Sequence, residues 1–198
     1  MKIVPSIEKL ISSLNKLPGV GKKSAERMAY ALLEKDKSEL LDFATSLEDV
    51  ANNIKKCKVC GVYSEDEVCP ICLDENRDEE TLMVVSYFKD VLAFESNNSF
   101  NGKYHILEGV ISTTKGISID DLNVESLYKR LEEGKIKEVI LATNPNLDGE
   151  TTALYLAKKL EKYDVTITKL AYGLSIGSAL DYTDSLTLSK ALEGRRKV

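Results

Sequence analysis

The chain has 198 residues, 43% of them hydrophobic and 30% charged, which is the composition of a globular protein with a sizeable core. Its start lacks the basic and apolar regions of a signal peptide, and no apolar run is long enough to span a bilayer, so we expect a cytoplasmic protein without membrane contact. The net charge of -5 argues against nucleic acid as a partner, but residues 1–60 carry 11 basic against 8 acidic side chains and leave a phosphate-facing surface open.

The first part of the chain is predicted to be helical. Apolar residues recur at helical spacing from Ile3 to Leu14, and a tight turn over residues 17–25 leads into a second helix that runs to about residue 33. A third helical pattern covers residues 38–54. We expect these three helices to form an N-terminal core.

The turn between the first two helices has the sequence Leu-Pro-Gly-Val-Gly-Lys-Lys-Ser-Ala. Gly19 and Gly21 permit backbone conformations and close approaches that a β-carbon would obstruct. The turn resembles a helix-hairpin-helix motif, a module that binds DNA without reading sequence, and its amides and the following helix start would face a phosphate. Lys22, Lys23 and Arg27 would add backbone contacts. Alternatively, the glycines only make the turn of an αα-hairpin.

All four cysteines fall as two C-x2-C pairs separated by eight residues, at Cys57, Cys60, Cys69 and Cys72. Two such turns can aim four thiolates at one tetrahedral Zn²⁺, and four sulfur ligands leave no open position, so one structural zinc ion per chain is predicted. The alternatives are disulfides or four unrelated core cysteines.

Charged residues surround the cysteine pairs. Glu65, Asp66 and Glu67 lie between the pairs and argue against phosphate binding by this module. Lysines 55, 56 and 58 flank Cys57 and are at least as consistent with solvated surface as with a phosphate contact. We therefore expect the zinc module to fix the angle between the helices that face DNA and the domain that follows.

Beyond residue 80 strand and helix patterns alternate. Strands are predicted at residues 81–85, 104–107, 139–143 and 165–170, and helices at residues 89–95, 124–133 and 150–160. Such alternation indicates a parallel sheet covered by helices, in which ligands gather at the carboxyl ends of the strands.

The loop at residues 143–150 follows a buried strand and carries Asp148 and Glu150 beside a helix start. These carboxylates are a candidate weak divalent-cation or partner site, or they simply complement the helix dipole. The loop and the alternation resemble a Toprim domain. Ser86 stands where an active Toprim enzyme presents a glutamate, which argues against magnesium-dependent chemistry. The single histidine, His105, is interpreted as structural, and no catalytic residues are assigned.

The order of these modules is similar to that of the RecR family of bacterial recombination mediators. The similarity includes Cys-Pro-Ile-Cys at residues 69–72, Glu-Val-Ile-Leu-Ala-Thr-Asn-Pro at residues 138–145 and a Gly-Arg-Arg ending at residues 194–196. The chain departs from the family at Tyr172, where histidine is common, and at residues 177–182, which read Gly-Ser-Ala-Leu-Asp-Tyr instead of Gly-Gly-Asp-Leu-Glu-Tyr.

The resemblance implies an α+β multidomain protein. Its parts would be a helix-hairpin-helix domain at residues 1–54, a four-cysteine zinc module at 55–78, a Toprim domain at 79–172 and a C-terminal segment for oligomer contacts at 173–198. It further implies a repair factor that is not an enzyme. Such proteins form rings, as dimers that associate into tetramers, and act with RecO and RecF to load RecA onto gapped or single-stranded DNA at the nucleoid. A Toprim nuclease and an interaction scaffold that never contacts DNA are the alternatives.

Overall fold

Three helices make up the chain up to Ile54 in the computed structural model, which describes residues 4–197 and divides after Ile54 into two compact units. They are α1 (Pro5–Leu14), α2 (Lys22–Leu33) and α3 (Lys37–Asn53), as the periodicity predicted. Ile3 lies outside the described residues. Pro5 begins α1, where its missing N–H costs nothing.

The expected core of three helices is wrong for α3. In the first unit α1 packs against α2, whose Ala25 and Ala29 are buried. No residue of α3 is buried, and its apolar side chains Leu41, Phe43, Leu47 and Val50 are exposed. Helical spacing identifies an apolar face but does not say what covers it.

The second unit, from Lys55 onward, begins with a two-stranded antiparallel hairpin and continues as alternating strands and helices. The sequence predicted this alternation, although α7 begins three residues earlier than expected. The elements are β1 (Lys55–Lys56), β2 (Tyr63–Ser64), α4 (Pro70–Leu73), β3 (Asp78–Val85), α5 (Phe88–Glu95), β4 (Gly102–Ile106), α6 (Glu125–Glu132), β5 (Glu138–Ala142), α7 (Leu147–Leu160), β6 (Thr166–Lys169) and α8 (Ser185–Glu193), with short 3-10 turns at Ile119–Asp121 and Leu180–Tyr182.

The four longer strands form one parallel sheet in the order β4-β3-β5-β6. Alternate residues of a strand point to opposite faces, so each face has its own core. Leu82 and Val84 pack with the helical side chains Leu127 and Leu156 on one face. Met83 and Val85 on the other face pack with Val91 of α5 and with the cysteines. Between residues 4 and 197 no helix is long and apolar enough to cross a membrane.

Candidate metal centre and nucleic-acid interface

The four cysteines come together in the second unit. Their Sγ atoms all lie within 4.8 Å of one another, with Cys57 and Cys72 separated by 3.9 Å and Cys60 and Cys69 by 3.5 Å. These separations exclude disulfides, whose sulfur atoms lie about 2 Å apart. The first pair is set by a turn in which Gly61 adopts a positive φ of 82°, and Pro70 starts the short helix that carries Cys72.

The donor set fits a Zn²⁺ ion. Four sulfur atoms at about 2.3 Å from one tetrahedral ion lie about 3.8 Å from each other, close to the separations above. Hydrogen bonding with Cys60 places the pKa of Cys69 far below that of a free thiol, whereas the same contact raises the pKa of Cys60. A bound Zn²⁺ would hold all four sulfur atoms as thiolates, the form that binds metal. The ion would supply folding energy and no open coordination position.

The cysteine module packs directly on the parallel sheet. Cys57, Cys60 and Cys69 share one core with Met83 of β3 and with Tyr104 and Ile106 of β4. The backbone N–H of Ile106 in β4 donates to the carbonyl of Cys60 at 2.8 Å. The metal centre is thus part of the core of the second unit.

The hairpin between α1 and α2 has an open backbone. Gly19 has a φ of 78°, a conformation that residues with a side chain rarely adopt, and a Cβ added at Gly19 or Gly21 would meet nothing within 4 Å. No side chain caps α2, and the N–H groups of Lys22 and Lys23 find no acceptor among residues 4–197. A helix start with free, outward amides is the arrangement that binds an anion.

Three exposed cations surround this helix start. Lys22, Lys23 and Arg27 all lie on α2, and none of them forms an ion pair with the part of the chain that the structure describes. Two of the three lysines near Cys57 differ from them, because Lys56 pairs with Glu108 and Lys58 pairs with Glu67.

The acidic loop is built around the start of α7. The Asn146 side chain caps the helix by accepting from the N–H of Gly149 at 2.8 Å. Asp148 and Glu150 lie in the first turn, where negative charge favours the helix dipole. A Cβ on Gly149 would lie 2.1 Å from the carbonyl oxygen of Asn144, so this close approach requires glycine. The roles of Asn146 and Gly149 were not predicted from the sequence, although Asn directly before a helix is a favoured N-cap residue.

Glu150 forms an ion pair within the chain. Lys169 Nζ lies 2.7 Å from one carboxylate oxygen of Glu150, and the Tyr172 hydroxyl donates to the other. Burial acts to raise the pKa of Glu150, but these two donors outweigh it and the pKa is lowered. The three residues line a cavity of about 640 Å³ together with residues of α8. The described residues contain no group of three or more metal ligands at Asp148 and Glu150.

The remaining predicted positions lie at the sheet. Ser86 follows β3 and is fully buried, and its hydroxyl has no partner within residues 4–197. His105 is fully buried in β4 and donates from Nε2 to the carbonyl of Asn123 at 2.7 Å. Burial lowers the pKa of His105 to about 4, so the ring is neutral.

Comparisons with known proteins cover most of the chain. Family models match as the RecR helix-hairpin-helix over residues 7–51, the RecR zinc finger domain with four cysteines over 54–74, a Toprim domain over 80–171 and the RecR C-terminal segment over 173–196. The "Recombination protein RecR" of Acidothermus cellulolyticus is 48% identical over 192 residues, which are 97% of this chain and 96% of that protein. This identity, and a zinc-binding cysteine cluster where the family model has its zinc finger, show that the chain belongs to the RecR family.

Proposed function

We propose that the protein is a DNA-binding recombinational repair factor, which assembles into a ring-like clamp and acts with RecO and RecF to load RecA on gapped or single-stranded DNA. The observation that carries the proposal is the hairpin before α2, with its exposed glycines, free amides and unpaired cations. Backbone amides at a helix start and cations beside them are suited to phosphate, and phosphate contacts carry no sequence information, so the proposed binding is independent of sequence.

The proposed DNA contact uses Gly19, Gly21, Lys22, Lys23 and Arg27. The amides at the start of α2 would bind one phosphate of the DNA. The three cations would displace counterions from the neighbouring phosphates. Since each contact is weak by itself, a single chain would bind poorly. Several copies around one DNA would multiply the contacts, which lets a chain with a net charge of -5 bind DNA through a local positive surface.

Exposed apolar residues support an oligomer. One set of exposed apolar residues lies on α3 in the first unit. A second set lies in the C-terminal segment, where Ile176, Leu180, Tyr182 and Leu186 are exposed. Large apolar side chains at such density are typical of surfaces that another subunit covers. We propose that residues 1–54 and 173–198 make the contacts of a homotetramer, around a zinc module at 55–78 and a Toprim domain at 79–172.

We propose that the Toprim domain performs no phosphodiester chemistry. Ser86 offers a hydroxyl where a hard cation would need a carboxylate, and Glu150 is already neutralised by Lys169. Asp148 and Glu150 would then serve as part of a partner surface rather than as a magnesium site. The proposed location is the bacterial cytoplasm, at the nucleoid during repair.

Charge reversal on α2 tests the proposed DNA contact. The double variant Lys23→Glu/Arg27→Glu should lower affinity for single-stranded DNA by at least about tenfold at moderate salt, and should reduce the salt dependence by about one ion per lost phosphate contact. Fluorescence anisotropy over a salt series measures both. The control is Lys37→Glu, an exposed charge reversal in the same unit outside the hairpin.

Unchanged binding by the folded double variant would refute the hairpin interface. Absence of binding by the unmodified protein at low salt would favour an interaction scaffold. Magnesium-dependent cleavage of the DNA that is lost in Asp148→Ala would favour a nuclease.

A further inference from the structure

Two cationic side chains lie beside the cysteine cluster without a carboxylate partner. Lys103 of β4 is only 6% exposed, and Arg130 of α6 is partly buried. Neither lies within 4 Å of a carboxylate in the described chain, although Glu79 and Glu133 line the same cavity of about 140 Å³. Placing a cation in such a position costs free energy unless a negative charge compensates it.

Lys103 is directed at the second cysteine turn. Its Nζ donates to the carbonyl oxygens of Ile71, Cys72 and Asp74 at 3.1, 3.1 and 2.7 Å. These three bonds use every donor of the ammonium group. They satisfy its hydrogen bonding, but carbonyl groups have no net charge, and the Asp74 carboxylate, which acts on Lys103 from a distance, pairs with Arg77 instead.

Arg130 reaches the same place from the other side of the cavity. Its Nη1 donates to the carbonyl of Tyr104, the residue after Lys103, at 2.6 Å. Arg130 and Cys72 both line the cavity. Burial lowers the pKa of Arg130, and the charges of Cys72, Cys60 and Cys57, and less strongly that of Glu133, act in the opposite direction, so the sulfur atoms are within electrostatic reach of the guanidinium.

The missing negative charge is available at the cysteines. Four thiolates around one Zn²⁺ carry a net charge of about -2. The N–H of Cys69 donates to Cys57 Sγ at 3.3 Å, but this neutral donor compensates only part of that charge. We propose that Lys103 and Arg130 are the counter-charges of the zinc–tetrathiolate centre, and that they tighten metal binding from outside the shell of ligands. Both are positioning residues, since neither is a ligand.

The proposal gives β4 and α6 a part in holding the metal. Separation of the cysteine module from these elements would move Lys103 and Arg130 away from the negatively charged zinc–tetrathiolate centre. Metal binding and packing of the module on the sheet would therefore stabilise each other. Metal retention should therefore depend on side chains far from the cysteines in sequence.

Release of zinc to a chromophoric chelator at fixed pH and salt tests the proposal on the full holoprotein. Arg130→Gln and Lys103→Gln keep a polar side chain and remove the charge. Each should release zinc about 10- to 100-fold faster, the usual range for the loss of an outer-shell partner. Arg130→Lys, which keeps the charge, should release zinc at nearly the unmodified rate. Lys129→Gln, an exposed position on the same helix, is the matched control.

A second control separates metal retention from general stability. Leu156→Val weakens the core on the opposite face of the sheet and should not accelerate release at an equal loss of thermal stability. The proposal is overturned if Arg130→Gln releases zinc no faster than Lys129→Gln, or if Arg130→Lys and Arg130→Gln accelerate release equally. If Lys103→Gln does not fold, the three variants at positions 129 and 130 decide the matter.

Discussion

The two units of the chain differ in what their apolar and cationic side chains contact. In the unit from Lys55 onward, apolar residues fill a core on each face of the sheet, and several cations are held by internal partners. In the described residues up to Ile54, only Ala25 and Ala29 are buried, and the cations of α2 have no partner. The sheet and the cysteine module of the second unit therefore form a core within one chain, whereas the first unit, like the exposed apolar residues of the C-terminal segment, presents groups suited to other molecules.

Removal of a zinc ligand should destabilise the second unit more than any other change considered below. Cys60→Ser should abolish zinc retention and destabilise the second unit by more than about 4 kcal/mol, because the ion contributes to folding and the thiol is fully buried in the core. Zinc content per chain and thermal unfolding followed by circular dichroism measure the effect. Lys58→Ala, an exposed neighbour paired only with Glu67, is the control. Normal zinc content in Cys60→Ser would contradict a four-sulfur centre.

A methyl group at the start of α7 should have the next largest effect. Gly149→Ala should destabilise the protein by about 3 kcal/mol, since the added carbon would lie 2.1 Å from a backbone oxygen that cannot move away alone. Urea unfolding gives the free energy. Gly173→Ala serves as the control, because a Cβ there meets nothing within 4 Å and its φ is not positive. Equal stability of the two variants would contradict the close approach.

The pH dependence of stability should report the buried His105. Its pKa is 6.5 in an unfolded chain and about 4 in the folded protein, so the unfolded state binds the extra proton between these values. The contribution of His105 to stability should be complete above pH 6.5 and should fall by up to about 3 kcal/mol as the pH drops towards 4. Urea unfolding from pH 7.5 to 5 measures the slope.

His105 is the single histidine, so its share of the slope is the difference between the unmodified protein and His105→Gln in the same zinc buffer, where the zinc-bound thiolates give both proteins a common dependence on pH. His105→Gln should reduce the slope between pH 6.5 and 5 by the contribution of one proton. A slope as steep as that of the unmodified protein would show that another group titrates in this range.

Substitution on the exposed face of α3 should have the smallest effect on the fold and a clear effect on assembly. Leu47 is 58% exposed, so Leu47→Glu should change the free energy of unfolding by no more than about 0.5 kcal/mol. We expect the same variant to lower the mass measured by sedimentation, because it places a charge in an apolar contact. Asn52→Glu on the same helix is the control. An unchanged mass would separate α3 from the assembly surface.

Local patterns in the sequence predicted most elements, because helical and strand periodicity depends on near neighbours. The cysteine spacing likewise predicted the zinc site. The start of α7 was misplaced because it depends on a cap at Asn146 and on packing of Gly149 against Asn144. Periodicity in α3 could not indicate that its apolar face stays uncovered in one chain.

Contacts between distant positions had no signal in the sequence. Lys169 of β6 pairs with Glu150 of α7, and Lys103 of β4 donates to the carbonyl of Cys72 in α4. Nothing in the residue types distinguishes these lysines from solvated ones. Such pairs become visible only when the parallel register fixes which strand ends lie side by side.

The packing of the cysteine module on the sheet has a consequence for the order of events during synthesis. All four cysteines precede the strands that bury them, so their thiols leave the ribosome before β3 and β4 exist. In that interval they can take up a metal ion from solution without any opening of the fold. Once β4 has paired and Ile106 has bonded to Cys60, the thiols of Cys57, Cys60 and Cys69 are buried and Cys72 alone of the four is partly exposed, so we expect slower exchange of the ion. Zinc supplied during translation should therefore fill the site faster than zinc added to the folded protein.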